Sequence, residues 1–339
     1  MAGQGDNCSF QGNADMYGMG IRIGYYLQWY GSIIAAWLAS EQSQGLRIAN
    51  SLFVTATFIA LIILTARQHS PDDLPAVETY IILFLTFGNY LVLVPIYIWR
   101  LFTGCNPLWD PTRFPRVNPG QDYTVYNTLV VVAVLIFQIW FWAQQVPQLN
   151  GVECKRYGFF FTKFVLNSTN FRGINLSFNI ILLMICLTTV GVVLWKNSPW
   201  APARRRVNLN HESLNRIRLL NYVESISQAV VATVVIIGVE LTILWNQIEG
   251  VHDVSTAGQM IPLFLGIGSV GLVLYVWALR EETVEPPAGN PVNDMALNQL
   301  PNTVPRSFTV GALSAVGART VMSALRVGDS GHTRLRTWR

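Results

Sequence analysis

The sequence predicts an all-α polytopic membrane protein, a seven-transmembrane-helix bundle with its N-terminus outside and its C-terminus in the cytoplasm. Three observations lead there. Of 339 residues, 51% are hydrophobic and 12% charged, about half the charged share of an average soluble chain. Seven apolar stretches are each long enough, at roughly 20 residues, to cross a hydrocarbon layer of about 30 Å as a helix. Lysine and arginine are spread unevenly over alternate connections, which sets an orientation.

The spans are read at Ile21–Ala39, Ala49–Ala66, Thr79–Trp99, Thr128–Val146, Ile174–Trp195, Ile226–Trp245 and Met260–Leu279. Their apolar runs are continuous rather than alternating, so they read as helices and not as barrel strands. The first and fourth are the most polar, carrying Arg22 and Gln28, and Gln138, Gln144 and Gln145. Residues 1–20 contain no lysine or arginine, and the first span has no small-residue cleavage site. That span is therefore expected to be retained as the insertion signal. The domain reading is an outer tail (1–20), a membrane domain (21–279) and a largely unstructured cytoplasmic tail (280–339). The tail opens on Glu281-Glu282-Thr283-Val284-Glu285-Pro286-Pro287, a polar and proline-containing run that lacks the makings of a core.

Counting lysines and arginines decides the orientation. The N-terminal tail and the second, fourth and sixth loops hold 5, whereas the first, third and fifth loops and the C-terminal tail hold 17. The basic side faces the cytoplasm. The sequons at Asn7 and Asn167 then both fall outside and are glycosylation candidates. Cys8 and Cys154 also fall outside, where a disulfide would tie the tail to the fourth loop; the alternative is two thiols that never meet. Arg204, Arg205 and Arg206 in the fifth loop read as a topology signal, or as a contact for anionic lipid. Beyond them, Leu214, Ile217 and Leu220 recur at helical spacing, so the sixth helix is expected to begin in the cytoplasm.

Charges within spans cost about 2.5–3.5 kcal/mol at mid-membrane and are functional candidates. Arg22 and Glu240 sit at similar depth near the outer ends of the first and sixth spans. Either they pair, or each reaches separately to the interface. Gln28, Asn89, Gln138 and Gln228 read as interhelical hydrogen-bonding groups or as the lining of a polar cavity. Gly20 and Gly24 have the G-x-x-x-G spacing that lets helices approach closely. Gly266-Ile267-Gly268-Ser269-Val270-Gly271 matches a dinucleotide fingerprint in letters only, because it lies inside an apolar span with no preceding strand.

No catalytic constellation emerges, and the chain is not read as an enzyme. None of the four histidines lies in a span, so no intramembrane metal site is expected, and no cofactor is implied. The seventh span has no lysine for a retinal Schiff base, and the third ends Tyr97-Ile98-Trp99-Arg100 without an Asp-Arg-Tyr element.

The stretch Asp15-Met16-Tyr17-Gly18-Met19-Gly20-Ile21-Arg22-Ile23-Gly24-Tyr25-Tyr26-Leu27-Gln28-Trp29 is similar to the N-terminal signature of a family of multi-pass integral membrane proteins of filamentous fungi. Glu240 to Ile248 and Thr256 to Leu263 resemble a second shared block. The resemblance implies a polytopic architecture and marks the outer ends of the first, sixth and seventh spans; it carries over no catalytic residue.

Two functions fit. A receptor- or sensor-like protein would use an outer mouth made by the tail, the fourth loop and the sixth loop, with a cytoplasmic protein partner at the basic face. A transporter or channel would use the uncharged polar residues as a pathway, although seven spans do not divide into two repeats. Either would lie in the plasma membrane or another membrane of the secretory pathway, with the lipid bilayer as its first partner and no nucleic acid.

Overall fold

The computed structural model describes residues 9–67, 75–104, 106, 109–111, 121–149, 154–197, 211–254 and 256–282. The chain divides into two units, Met1–Trp277 and Ala278–Arg339, and the packing described below lies in the first.

The chain enters through a short strand, β1 (Phe10–Gln11), and one helical turn, α1 (Ala14–Tyr17). Asn13 starts that turn, its side chain accepting from the Asp15 N–H at 3.1 Å, which is the bond that favours asparagine at a cap. α2 (Met19–Leu38) is followed after one residue, Ala39, by α3 (Ser40–Arg67). The first connection is therefore helical rather than a loop.

The third predicted span is bent. α4 (Ala76–Gly88) passes through a 3₁₀ turn (Asn89–Val92) into α5 (Leu93–Phe102), and the two halves meet at 59°. Pro95 accounts for the break: it has no N–H for the Leu91 carbonyl, and its ring crowds that carbonyl. α6 (Gln121–Trp140) runs into a π-helical turn (Phe141–Gln145) and a 3₁₀ turn (Val146–Leu149). Here Pro147 leaves the Ala143 carbonyl without its usual donor, and the wider turn absorbs the mismatch.

A hairpin, β2 (Tyr157–Phe159) and β3 (Lys163–Val165), leads to α7 (Thr169–Asn197). α8 (His211–Trp245), β4 (Ile248–Glu249) and α9 (Ala257–Glu282) complete the described chain. α8 begins well before the apolar stretch at Ile226, as the spacing of Leu214, Ile217 and Leu220 leads one to expect.

Five helical stretches are long and apolar enough to cross a membrane: Ser40–Arg67, Tyr123–Gln148, Thr169–Val192, Asn215–Trp245 and Ala257–Leu279. The bent α4–α5 pair counts as a sixth when taken as one span. The chain is thus mostly helical and multi-pass. α2 has the length but not the hydropathy, because Arg22, Gln28 and three tyrosines occupy it. Those groups need not meet lipid: Arg22, Tyr25 and Gln28 are all buried within the bundle. Lipid-facing surface lies elsewhere, with Ile174, Ile181 and Met184 on α7 and Ile261, Phe264 and Ile267 on α9 all exposed. On a soluble protein such surface would aggregate; hydrocarbon chains cover it here.

α2 meets α9 at very short range. A Cβ on Gly20 would fall 2.6 Å from the Gln259 carbonyl oxygen, and one on Gly24 2.6 Å from that of Pro262. No side chain fits either gap, so the G-x-x-x-G pair is a packing surface. Gly266 faces Gly24 across the same crossing, whereas a Cβ on Gly268 or Gly271 would meet nothing within 4 Å. The fingerprint-like run therefore forms no cradle.

Candidate functional site

The two ends of the bundle differ in construction. At one end, the N-terminal segment, the start of α4, the β2–β3 hairpin and the α8–α9 connection are knitted together. β1 pairs in parallel with β4, Phe10 opposite Ile248 and Gln11 opposite Glu249. Asn246 clasps the hairpin like a short strand: its Oδ1 accepts from Tyr157 N–H at 2.9 Å and its Nδ2 donates to Tyr157 O at 2.7 Å. Tyr80 O–H donates to Phe159 O at 2.9 Å, and the Arg156 guanidinium lies 4.4 Å from the Phe10 ring centre.

Two carboxylates anchor this cap. Arg22, 3% exposed, donates through Nη1 to Glu240 Oε2 and through Nη2 to Val251 O at 2.9 Å. Glu240 Oε1 accepts from Tyr26 O–H at 2.8 Å. The structure thus brings the two span charges into one ion pair, with a tyrosine and a backbone carbonyl sharing the load. Glu78, also 3% exposed, accepts from Asn13 N–H at 2.9 Å and Tyr17 O–H at 2.7 Å. Burial, reinforced by the Glu78 carboxylate, pushes the Tyr17 phenol far above its ordinary range, so it stays a donor. Sequence reasoning passed over Glu78 because it stands at a span edge with no basic partner; its partners are neutral donors, which no charge pattern reveals.

The other half of the bundle holds a cavity of about 310 Å³ lined by α2, α3, α5, α6, α7 and α8 and by the 3₁₀ turn at the helix break. Its charged groups are Arg47 and Glu224, whose Nη2 and Oε1 stand 4.0 Å apart. Gln228 Nε2 donates to Glu224 Oε1 at 3.3 Å. Asn50 is buried, lines the same space, and has an Oδ1 with no hydrogen-bond partner. Along one wall, Ser51 Oγ donates to Asn127 Oδ1 at 3.0 Å and Tyr90 O–H donates to the same oxygen at 3.2 Å. A second crevice, also about 310 Å³, lies beside the ion pair and is lined by Met19, Arg22, Ile23, Glu240 and His252.

Of the uncharged residues read as a polar lining, Gln228 lines the cavity. Gln28 and Gln138 are buried but are not among its lining residues. Asn89 opens the 3₁₀ turn at the break in α4–α5. Arg47, Asn50 and Glu224 also line it: Arg47 belongs to the expected first loop, Asn50 to the second span with no role expected of it, and Glu224 to the cytoplasmic rim of the sixth; α3 and α8 carry all three inward. Cys154 is disulfide-bonded and Cys186 is a buried free thiol. Asn167 lies half-buried in the turn after β3. Asn7, Cys8, Arg204, Arg205 and Arg206 lie outside the described residues. Among the described residues no group of three or more histidine, cysteine or carboxylate side chains is arranged to hold a metal.

No protein-family model, curated protein or solved structure matches the chain.

Proposed function

We propose that the chain is a seven-span carrier for a small polar solute, its strand-capped end outside and its cavity reached from the cytoplasm. The observation that carries this reading is the cavity itself. It is walled by six helices and touches the break in α4–α5, while the opposite end is laced together by strand pairing and side-chain hydrogen bonds. Discontinuous helices at a polar mid-bundle site are how transporters expose backbone groups to a substrate, and a cavity at one end opposed by a latch at the other is half of an alternating-access cycle. The lysine and arginine bias supports the assignment of sides. The reading is non-enzymatic, and the membrane is the plasma membrane or another on the secretory route.

The test is solute entry into vesicles reconstituted with the full-length protein, followed by stopped-flow light scattering with glycerol, urea, leucine and glutamine as probes. At least one probe is expected to enter faster than into protein-free vesicles, and Asn89→Leu to slow it. No acceleration by any of the four would overturn the carrier reading.

The receptor- or sensor-like reading keeps one specific support: 6 lysines and arginines in the fifth loop and 7 in the C-terminal tail form a basic cytoplasmic face. Its expected outer mouth has less in its favour, because the segments meant to frame it bond to each other. Recovery of a signalling protein by proximity labelling from the tail, with no flux, would shift the assignment to it.

A further inference from the structure

The charges in the cavity narrow the chemistry of its occupant, an inference that takes its biological sense from the carrier reading. We propose that the cavity binds a small zwitterion, its oxyanion set against Arg47 and its ammonium against Glu224. Arg47 and Glu224 are largely withdrawn from solvent, with side chains 22% and 16% exposed, yet their closest atoms are 4.0 Å apart. A well-made guanidinium–carboxylate contact closes to about 2.7–2.9 Å. Two withdrawn charges so loosely matched are under-compensated, and a ligand that reaches both supplies what each lacks.

The balance of charge selects the class. One positive and one negative group face the space, so a singly charged solute leaves one of them unmatched at low dielectric. A neutral solute without charges satisfies neither. Asn50 gives an independent indication: it is 6% exposed, lines the cavity, and its Oδ1 lacks a donor, which an ammonium N–H provides. Gln228 holds the Glu224 carboxylate in place from the next helical turn. Tyr90, Tyr97 and Tyr123 complete the polar part of the lining. A volume of about 310 Å³ lies at the small end of ligand pockets, about 300–1,000 Å³, with room for an amino acid or a phosphocholine group. The shared chemistry is an ammonium joined to a carboxylate or phosphate; a free solute and a lipid headgroup both supply it.

Thermal unfolding of the full-length protein in detergent tests this, with leucine, glutamine, glycine betaine and glycerophosphocholine as zwitterions. Sodium acetate and methylammonium chloride at matched ionic strength are the singly charged controls. A saturable rise in melting temperature is expected with at least one zwitterion and with neither control. Stabilisation by glycerophosphocholine alone assigns a lipid headgroup; stabilisation by an amino acid or betaine assigns a free solute. Arg47→Gln and Glu224→Gln should each weaken zwitterion binding at least about tenfold. Arg47→Gln should gain a response to methylammonium and Glu224→Gln a response to acetate. Should either variant fail to fold, the wild-type comparison still decides. No saturable shift from any zwitterion, or equal shifts from both controls, overturns the proposal. A zwitterion that binds but is not carried into vesicles overturns the carrier and leaves the site; solute flux without zwitterion binding does the reverse.

Discussion

Arg22 and Glu240 share one ion pair but not one environment. The Arg22 side chain is 4% exposed and that of Glu240 45%. Removing Glu240 therefore leaves a buried guanidinium to the Val251 carbonyl, whereas removing Arg22 leaves a carboxylate that water and Tyr26 can still serve. Stranding a buried charge costs up to about 3–5 kcal/mol, and the exposed partner lowers that here toward about 2 kcal/mol. Glu240→Ala is expected to lower the unfolding temperature more than Arg22→Ala, and the double variant to lose clearly less than the two losses together. Tryptophan-fluorescence melts of the detergent-solubilised protein read both effects; additive losses would mean the two groups act separately. Glu78 makes a second test at this scale. Glu78→Leu leaves the Asn13 N–H and Tyr17 hydroxyl without their acceptor, at about 1–3 kcal/mol each where no water replaces it. The N-terminal segment should then become cleavable by protease at concentrations that spare the wild type.

The helices show where a sequence speaks and where it is mute. Long apolar runs read directly as helices, and α3, α7, α8 and α9 each contain their predicted span. The break in α4–α5 has a sequence signal in Pro95, inside the third span, but hydropathy averages across a proline and leaves the span looking continuous. The cavity was not legible. Arg47 comes from the expected first connection, Asn50 from the edge of the second span and Glu224 from the rim of the sixth, and a hydropathy pattern does not say which faces of two helices turn toward one another. The Arg22–Glu240 pair was legible because two rare charges at equal depth have few alternatives. Glycine spacing illustrates both outcomes on one helix pair. Gly24→Val should collapse the yield of monodisperse protein on size-exclusion chromatography, because a backbone carbonyl occupies the space and cannot move aside. Gly268→Ala should leave yield and melting temperature unchanged, as nothing stands near its Cβ. An equal effect of the two would make the fingerprint-like run more than coincidence.

For the whole molecule, contacts between distant segments constrain how many times the chain crosses. Asn13 and Tyr17 bond to Glu78, so the chain between them must cross an even number of times. With α3, long and apolar, taken as one crossing between them, the proposed count requires α2 as the second despite its polar residues. Tyr80 bonds to Phe159 by the same logic, and with α6 crossing between them the bent α4–α5 must cross as well. On the proposed seven-span reading, β1 and β4 pair across six crossings and α9 is the seventh. Parity supports seven spans where hydropathy alone stops at six. The consequence is measurable, since an odd count places the two termini on opposite sides. With epitopes fused at residue 1 and after residue 339, the first should bind antibody on intact cells and the second only after permeabilisation. Both epitopes on one side would mean an even count. That would break either the Glu78 anchor or the cap that it holds, and with them the laced end on which the carrier reading depends.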